Sequence, residues 1–257
     1  MRAASARRLC AANLRQIGLA IQQYHNNAKH LPPGVSYRDG DDPLPYVSWQ
    51  TRLLPYLERD DLWKQTQQAF AKTPNFTESP PHPSKMALPV FNCPADGRGG
   101  VSSKSGNGFT SYLGVEGTDR FICDGVLFMD SQVRFDAITD GLGNTLMAGE
   151  RPPSADETLG WWYAGWGQNR DGSAEMILGV RELAGGKWAG NCPIGPFSFG
   201  PGKFDNQCDA FHFWSPHPGG AHFLFADGSV RFLDYSAAPL MPALATRNGG
   251  EVVTLPE

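Results

Sequence analysis

The sequence predicts an α+β protein: a long amino-terminal helix packed on an antiparallel β-sheet, with large loops and a closing carboxy-terminal hairpin. Apolar residues recur at helical spacing from Cys10 to Tyr24. Thirty glycines and 21 prolines in 257 residues imply many turns, which favours short strands joined by loops over a helical bundle. Near the carboxy terminus two apolar runs flank Asp227-Gly228, a favoured hairpin turn. A chain of this length buries roughly 70% of its unfolded surface, enough for one sizeable core.

The first helix is expected from about Ala3 to Asn27. Cys10, Leu14, Ile17, Ile21 and Tyr24 form one stripe, and Arg8, Arg15, Gln22 and Gln23 form the other face. At 1.5 Å per residue the helix is roughly 40 Å long, so its upper end is expected to stand clear of the core. Leu31-Pro32-Pro33-Gly34 ends it, because consecutive prolines cannot continue the hydrogen-bond ladder. Ser48 is placed to cap a second helix with an apolar face of Trp49, Leu53, Leu54 and Leu57. Pro55 should kink or divide it, with helix resuming over 59–71. A proline-rich loop runs from Lys72 to Met86.

Strands are then expected at Val90–Cys93, Ser111–Val115, Gly125–Phe128 and Thr145–Ala148, with another over Gly160–Trp166. Residues 167–211 show little periodicity. In the closing hairpin, a two-residue type I′ turn at Asp227-Gly228 would set Phe225 opposite Val230 and Phe223 opposite Phe232. Those four residues would share a core face, and the other face would be partly exposed.

Net charge is -4 but unevenly placed. Arg2, Arg7, Arg8, Arg15, Lys29 and Arg38 face no acid in the first 38 residues, whereas the remainder carries 16 basic and 26 acidic groups. A basic segment beside an acidic body suits an anionic surface such as lipid headgroups, or simply a solvated helix face. With so acidic a body, nucleic-acid binding is not expected. The arginines near Met1 leave no room for the apolar core of a signal peptide, and no stretch approaches the roughly 20 apolar residues of a membrane span.

Five cysteines are present, with no CxxC pair to suggest structural zinc. A Cys192–Cys208 bridge would close a loop of about 16 residues, worth roughly 3 kcal/mol on the loop-entropy model. Cys10 with Cys93 is the second candidate pair, and Cys123 is left over. The alternative is that all five are small buried hydrophobes.

Five segments, in order, resemble one bacterial family. They are CAANLRQIGLAIQQYHNNAKHLPPG from Cys10, SWQTRLLPYLE from Ser48, FNCPAD from Phe91, DAITDGLGNTLMAGE from Asp136 and HPGGAHFLFADGSVRFL from His217. The sequence is similar to the domain of unknown function 1559 family, whose carboxy-terminal module is named for a His, nine residues, then Asp-Gly. Here those are His217, Asp227 and Gly228. Members usually begin with a prepilin-type leader and an apolar helix running into the cysteine-containing helix. The resemblance therefore implies a pilin-like protein. Residues 1–30 would be a stem truncated at its start, and residues 31–257 a β-rich head with the module at 205–240. It further implies a membrane anchor through an upstream apolar helix, a periplasmic or extracellular location in the cell envelope, and other pilin-like subunits as partners. Leu14, Ile17 and Ile21 would pack against neighbouring stems. The expected role is a non-enzymatic pseudopilin-like subunit or surface assembly protein, the alternative a carbohydrate- or ligand-binding head.

Asp227 lies about 17 Å along a strand from His222, so a catalytic pair with His217 is not expected. The structural alternative has Asp227-Gly228 making the turn, Gly219 and Gly220 supplying positive φ or close approach, and His217 bonding to backbone. His212, His217 and His222 do not share a strand face as zinc ligands would. Pilin-like heads sometimes hold calcium, for which Asp136, Asp140, Asn144 and Glu150 offer oxygens; otherwise no cofactor is expected. No GxSxG, HExxH or P-loop occurs, and no catalytic residue is assigned. Trp161, Trp162, Tyr163 and Trp166 are either core or a ligand surface.

Overall fold

The computed structural model describes residues 2–37, 42–251 and 253; Met1 and Arg38 of the basic opening lie outside them. Helix α1 (Arg2–Ala28) carries the expected stripe: Cys10, Leu14, Ile17 and Ile21 are fully buried. Ala4, Ser5, Arg8 and Leu9 are exposed, Arg7 lies half-buried with its guanidinium 3.4 Å from the ring centre of Phe232, and the buried stripe begins at Cys10. A Cβ at Gly18 would meet Leu224 Cδ1 at 2.8 Å, so the helix backbone lies close on the sheet.

Ser48 Oγ accepts the Thr51 N–H at 3.1 Å and caps α2 (Trp49–Arg52). Pro55 sits in a single 3₁₀ turn, Leu54–Leu57, after which Glu58 takes φ +58° and α3 (Asp60–Lys72) begins. The proline thus divides the segment as expected. Val90–Cys93 is not a strand, because Pro89 opens a 3₁₀ turn over Pro89–Phe91.

Strands β1 (Tyr112–Gly117), β2 (Leu146–Glu150), β3 (Ile177–Gly179), β4 (Arg181–Glu182), β5 (Phe197–Ser198), β6 (Gly220–Phe225) and β7 (Val230–Asp234) follow, then a short helix α4 (Met241–Ala245). The main sheet has the order β3-β1-β2-β6-β7. Every pair in it is antiparallel except β1–β3, so the sheet is mixed rather than wholly antiparallel. β4 and β5 form a separate antiparallel ribbon. Gly125–Phe128 lies beside β1 without becoming a strand: Gly125 and Leu127 donate to the carbonyls of Glu116 and Val115. Residues 160–166 make only isolated bridges.

The hairpin is present, but one residue out of the expected register. His222 faces Phe232, Phe223 faces Arg231 and Leu224 faces Val230. Phe225 N donates to Ser229 O, which leaves a three-residue loop. Gly228 takes φ +84° while Asp227 stays at negative φ; a type I′ turn needs positive φ at both. The slip moves Val230 and Phe232 off the face of Phe223 and Phe225.

Both faces of the sheet are buried. Leu224 and Ala226 join the core under α1, α2 and α3; Phe223, Phe225 and Ala221 join a second core with Phe211, Phe213 and Leu244. Leu14, Ile17 and Ile21 belong to the first core. They are consumed within the molecule and cannot be the surface that meets a neighbouring stem. Leu9 and Leu19 are the exposed large apolar residues among the described side chains of α1. No described helix is long and apolar enough to cross a membrane.

Candidate functional site

Four separate parts of the chain meet where the buried stripe of α1 begins. β2 ends in Glu150, β6 carries His222, the loop before β6 carries His217, and Cys10 of α1 is bonded to Cys93. The loop is held by Ser215, whose Oγ accepts the His217 N–H at 3.0 Å and donates to Gly220 O at 2.7 Å. Gly219 reverses the chain at φ +87°. A Cβ at Gly220 would meet Leu233 O at 2.0 Å, so close approach requires glycine there.

Glu150 is the hub. Its Oε2 accepts the backbone N–H of His222 at 2.6 Å and lies 3.1 Å from His222 Nδ1. Its Oε1 is 3.3 Å from His217 Nε2 but receives no well-aligned hydrogen bond. Burial opposes the charge on Glu150, yet the close approach of His217 and His222 outweighs it and holds the carboxyl below its ordinary value. His217 Nε2 is also 3.5 Å from Cys93 Sγ. Cys10, Cys93, Glu150 and His217 are each at most 4% exposed, so the cluster is closed to bulk solvent. Nearby, Tyr112 Oη accepts from Asn13 Nδ2 at 3.3 Å, and burial raises its phenol.

The sequence matches the family model described as protein of unknown function DUF1559 (SBP_bac_10) over residues 1–240. The chain belongs to the DUF1559 family. No match was found among curated proteins or solved structures.

In this DUF1559 protein the expected residues separate into those the fold brings together and those it does not. Both expected disulfides are made: Cys10–Cys93 at a Cα separation of 5.3 Å and Cys192–Cys208 at 5.4 Å. Cys123 is left free. His217 and His222 meet, with rings 5.7 Å apart, but His212 pairs elsewhere with Asp209 at 3.0 Å. His217 turns to a carboxylate and a sulfur, not to the backbone acceptor expected, because its loop folds back beside β2. Asp227 stays at the far end of β6, where its Oδ1 accepts the Ser229 N–H at 2.7 Å. The four oxygen residues do not converge on one point: Asn144 Nδ2 donates to Asp140 O at 3.3 Å, but Asp136 pairs with Arg134, the Asp140 carboxylate accepts the N–H groups of Gly249 and Gly250, and Glu150 faces the histidines.

The aromatic group also divides. Trp162 and Tyr163 are core and cannot form a ligand surface; Trp162 Nε1 donates to Met86 O at 2.7 Å. Trp161 is half-buried, donating to Glu157 O at 3.2 Å. Only Trp166 is exposed, between a groove of about 260 Å³ shared with Tyr46 and Phe76 and one of about 470 Å³ shared with Asn169 and Trp188. Sequence reasoning missed Glu150 as the hub. The available signal was a lone acid ending the apolar run Leu146-Met147-Ala148-Gly149.

Proposed function

We propose that this protein is a non-enzymatic, pseudopilin-like subunit of the bacterial cell envelope, membrane-anchored in its full form, whose head faces an oxidising compartment. Helix α1 carries the proposal. It is 27 residues long, and Cys10–Cys93 fastens it to the head at the first buried turn. One face is spent on the core, and the opposite face presents Leu9, Ala12, Gln16 and Leu19. That outward stripe recurs at helical spacing and suits the same stripe of a second copy. Arg7, Arg8 and Arg15 line a groove of about 350 Å³ with His222, giving the amino end a cationic side for anionic headgroups. The two bridges are compatible with an envelope location.

Crosslinking tests the assembly. With cysteine placed at Ala12 or Gln16, disulfide-linked dimers should form in the envelope of cells producing the full-length protein, and Leu19→Asp should abolish them while leaving the thermal midpoint unchanged. Monomers only, at both positions, would reject the subunit reading.

A second reading, a carbohydrate-binding head, is favoured by Trp166 alone, an exposed indole between two grooves. Saccharide quenching of fluorescence, lost in Trp166→Ala, would support it.

A further inference from the structure

The geometry points to a redox-gated zinc site at Cys10, Cys93, Glu150 and His217: closed while the two sulfurs are bonded to each other, and competent once they are thiols. The four ligand-type atoms already lie within 4.8 Å of one another. Tetrahedral zinc, with Zn–S about 2.3 Å and Zn–N or Zn–O about 2.0–2.1 Å, needs a sulfur–nitrogen edge of about 3.5 Å and a nitrogen–oxygen edge of about 3.3 Å. Cys93 Sγ to His217 Nε2 is 3.5 Å, and His217 Nε2 to Glu150 Oε1 is 3.3 Å. Two of the edges that the ion requires therefore stand in place. Of the other four edges, the sulfurs must part to about 3.8 Å, the edge set by two Zn–S bonds, and the three sulfur–nitrogen and sulfur–oxygen edges now within 4.8 Å must settle at about 3.5 Å.

The second oxygen of Glu150 supplies an independent observation. Oε2 is engaged by the backbone N–H and Nδ1 of His222, which fixes the carboxylate plane. Oε1 is buried, aimed into the cluster and without a hydrogen-bond partner. This is how an outer group orients a ligating carboxylate. Charge also fits. A dithiol reductant delivers two electrons and two protons to the bridge and becomes a disulfide itself; the two thiols then lose their protons as zinc binds. Two thiolates cancel the ion's two positive charges, so exchanging the bridge for a zinc dithiolate leaves the buried net charge unchanged. A groove of about 370 Å³ beside Leu9, Asn13 and Cys93 leads to the site.

Cobalt(II) tests this, in a Cys192→Ser/Cys208→Ser background so that reduction acts on one bridge. The reduced protein should bind one cobalt per chain, with the visible bands of tetrahedral coordination and a thiolate charge-transfer band, and zinc should displace it. The oxidised protein should show neither band. His217→Ala should abolish the tetrahedral spectrum, and His222→Ala should weaken binding about 10–100-fold. If reduction unfolds the chain, cobalt should restore its near-ultraviolet circular dichroism. A reduced protein that neither binds cobalt nor is refolded by it would overturn the proposal, as would an unaltered spectrum in His217→Ala.

Discussion

Glu150 keeps its charge where burial opposes it, because two histidine-bearing segments close on it. Replacing it by alanine leaves the His222 N–H buried without an acceptor. That should cost about 2–3 kcal/mol at neutral pH, read from urea denaturation. The folded carboxyl lies below its unfolded value, so its contribution is full above about pH 4.5 and is lost as pH falls through the folded value. The gap between the parent and Glu150→Ala should therefore narrow on acidification; a constant gap would contradict the charged assignment. At this scale, Gly219, Gly220 and Gly228 were legible because a turn or a close approach admits few residues. Glu150 was not, because its partners come from 67 and 72 positions away and no local pattern encodes that meeting.

Among the elements, the two bridges differ in what they restrain. Cys192–Cys208 spans 16 positions and Cys10–Cys93 spans 83. On the loop-entropy model the shorter is worth about 3 kcal/mol and the longer about 4–5 kcal/mol. Cys10→Ser/Cys93→Ser should thus lower the unfolding free energy more than Cys192→Ser/Cys208→Ser, and the reverse order would place the strain in the native state. α1, the capped and divided α2–α3 segment, β1, β2 and the hairpin could be read from periodicity and punctuation. The hairpin register could not, because Asp227-Gly228 is compatible with two loop lengths; the three-residue loop puts Val230 beside Leu224 and Leu233 beside Ala221. β3 escaped notice as a three-residue strand in a stretch without alternation.

Across the whole molecule, the α+β class was legible, but not that the sheet is covered on both sides. The covering layer is irregular chain from about 151 to 215, which carries no period. That enclosure buries Glu116 of β1 against Glu182 of β4. Burial and the neighbouring acid raise the Glu116 carboxyl well above 4.5, which favours its protonated form beside Glu182. The folded state then holds a proton that the unfolded state has lost, and stability falls as pH rises above about 4.5. Glu116→Gln keeps a donor toward Glu182 without that proton. Its thermal midpoint should overtake the parent's increasingly between pH 5 and 8, and parallel profiles would refute the buried-acid account.

The clasp at Cys10 also decides how the molecule bears load. Tension entering along α1 from its amino end reaches a covalent junction before it reaches Leu14, Ile17 or Ile21, and crosses there to Cys93. The apolar contacts beneath the later turns lie downstream of that junction. Pulling cannot peel the helix from the sheet turn by turn; the head is dragged as one body.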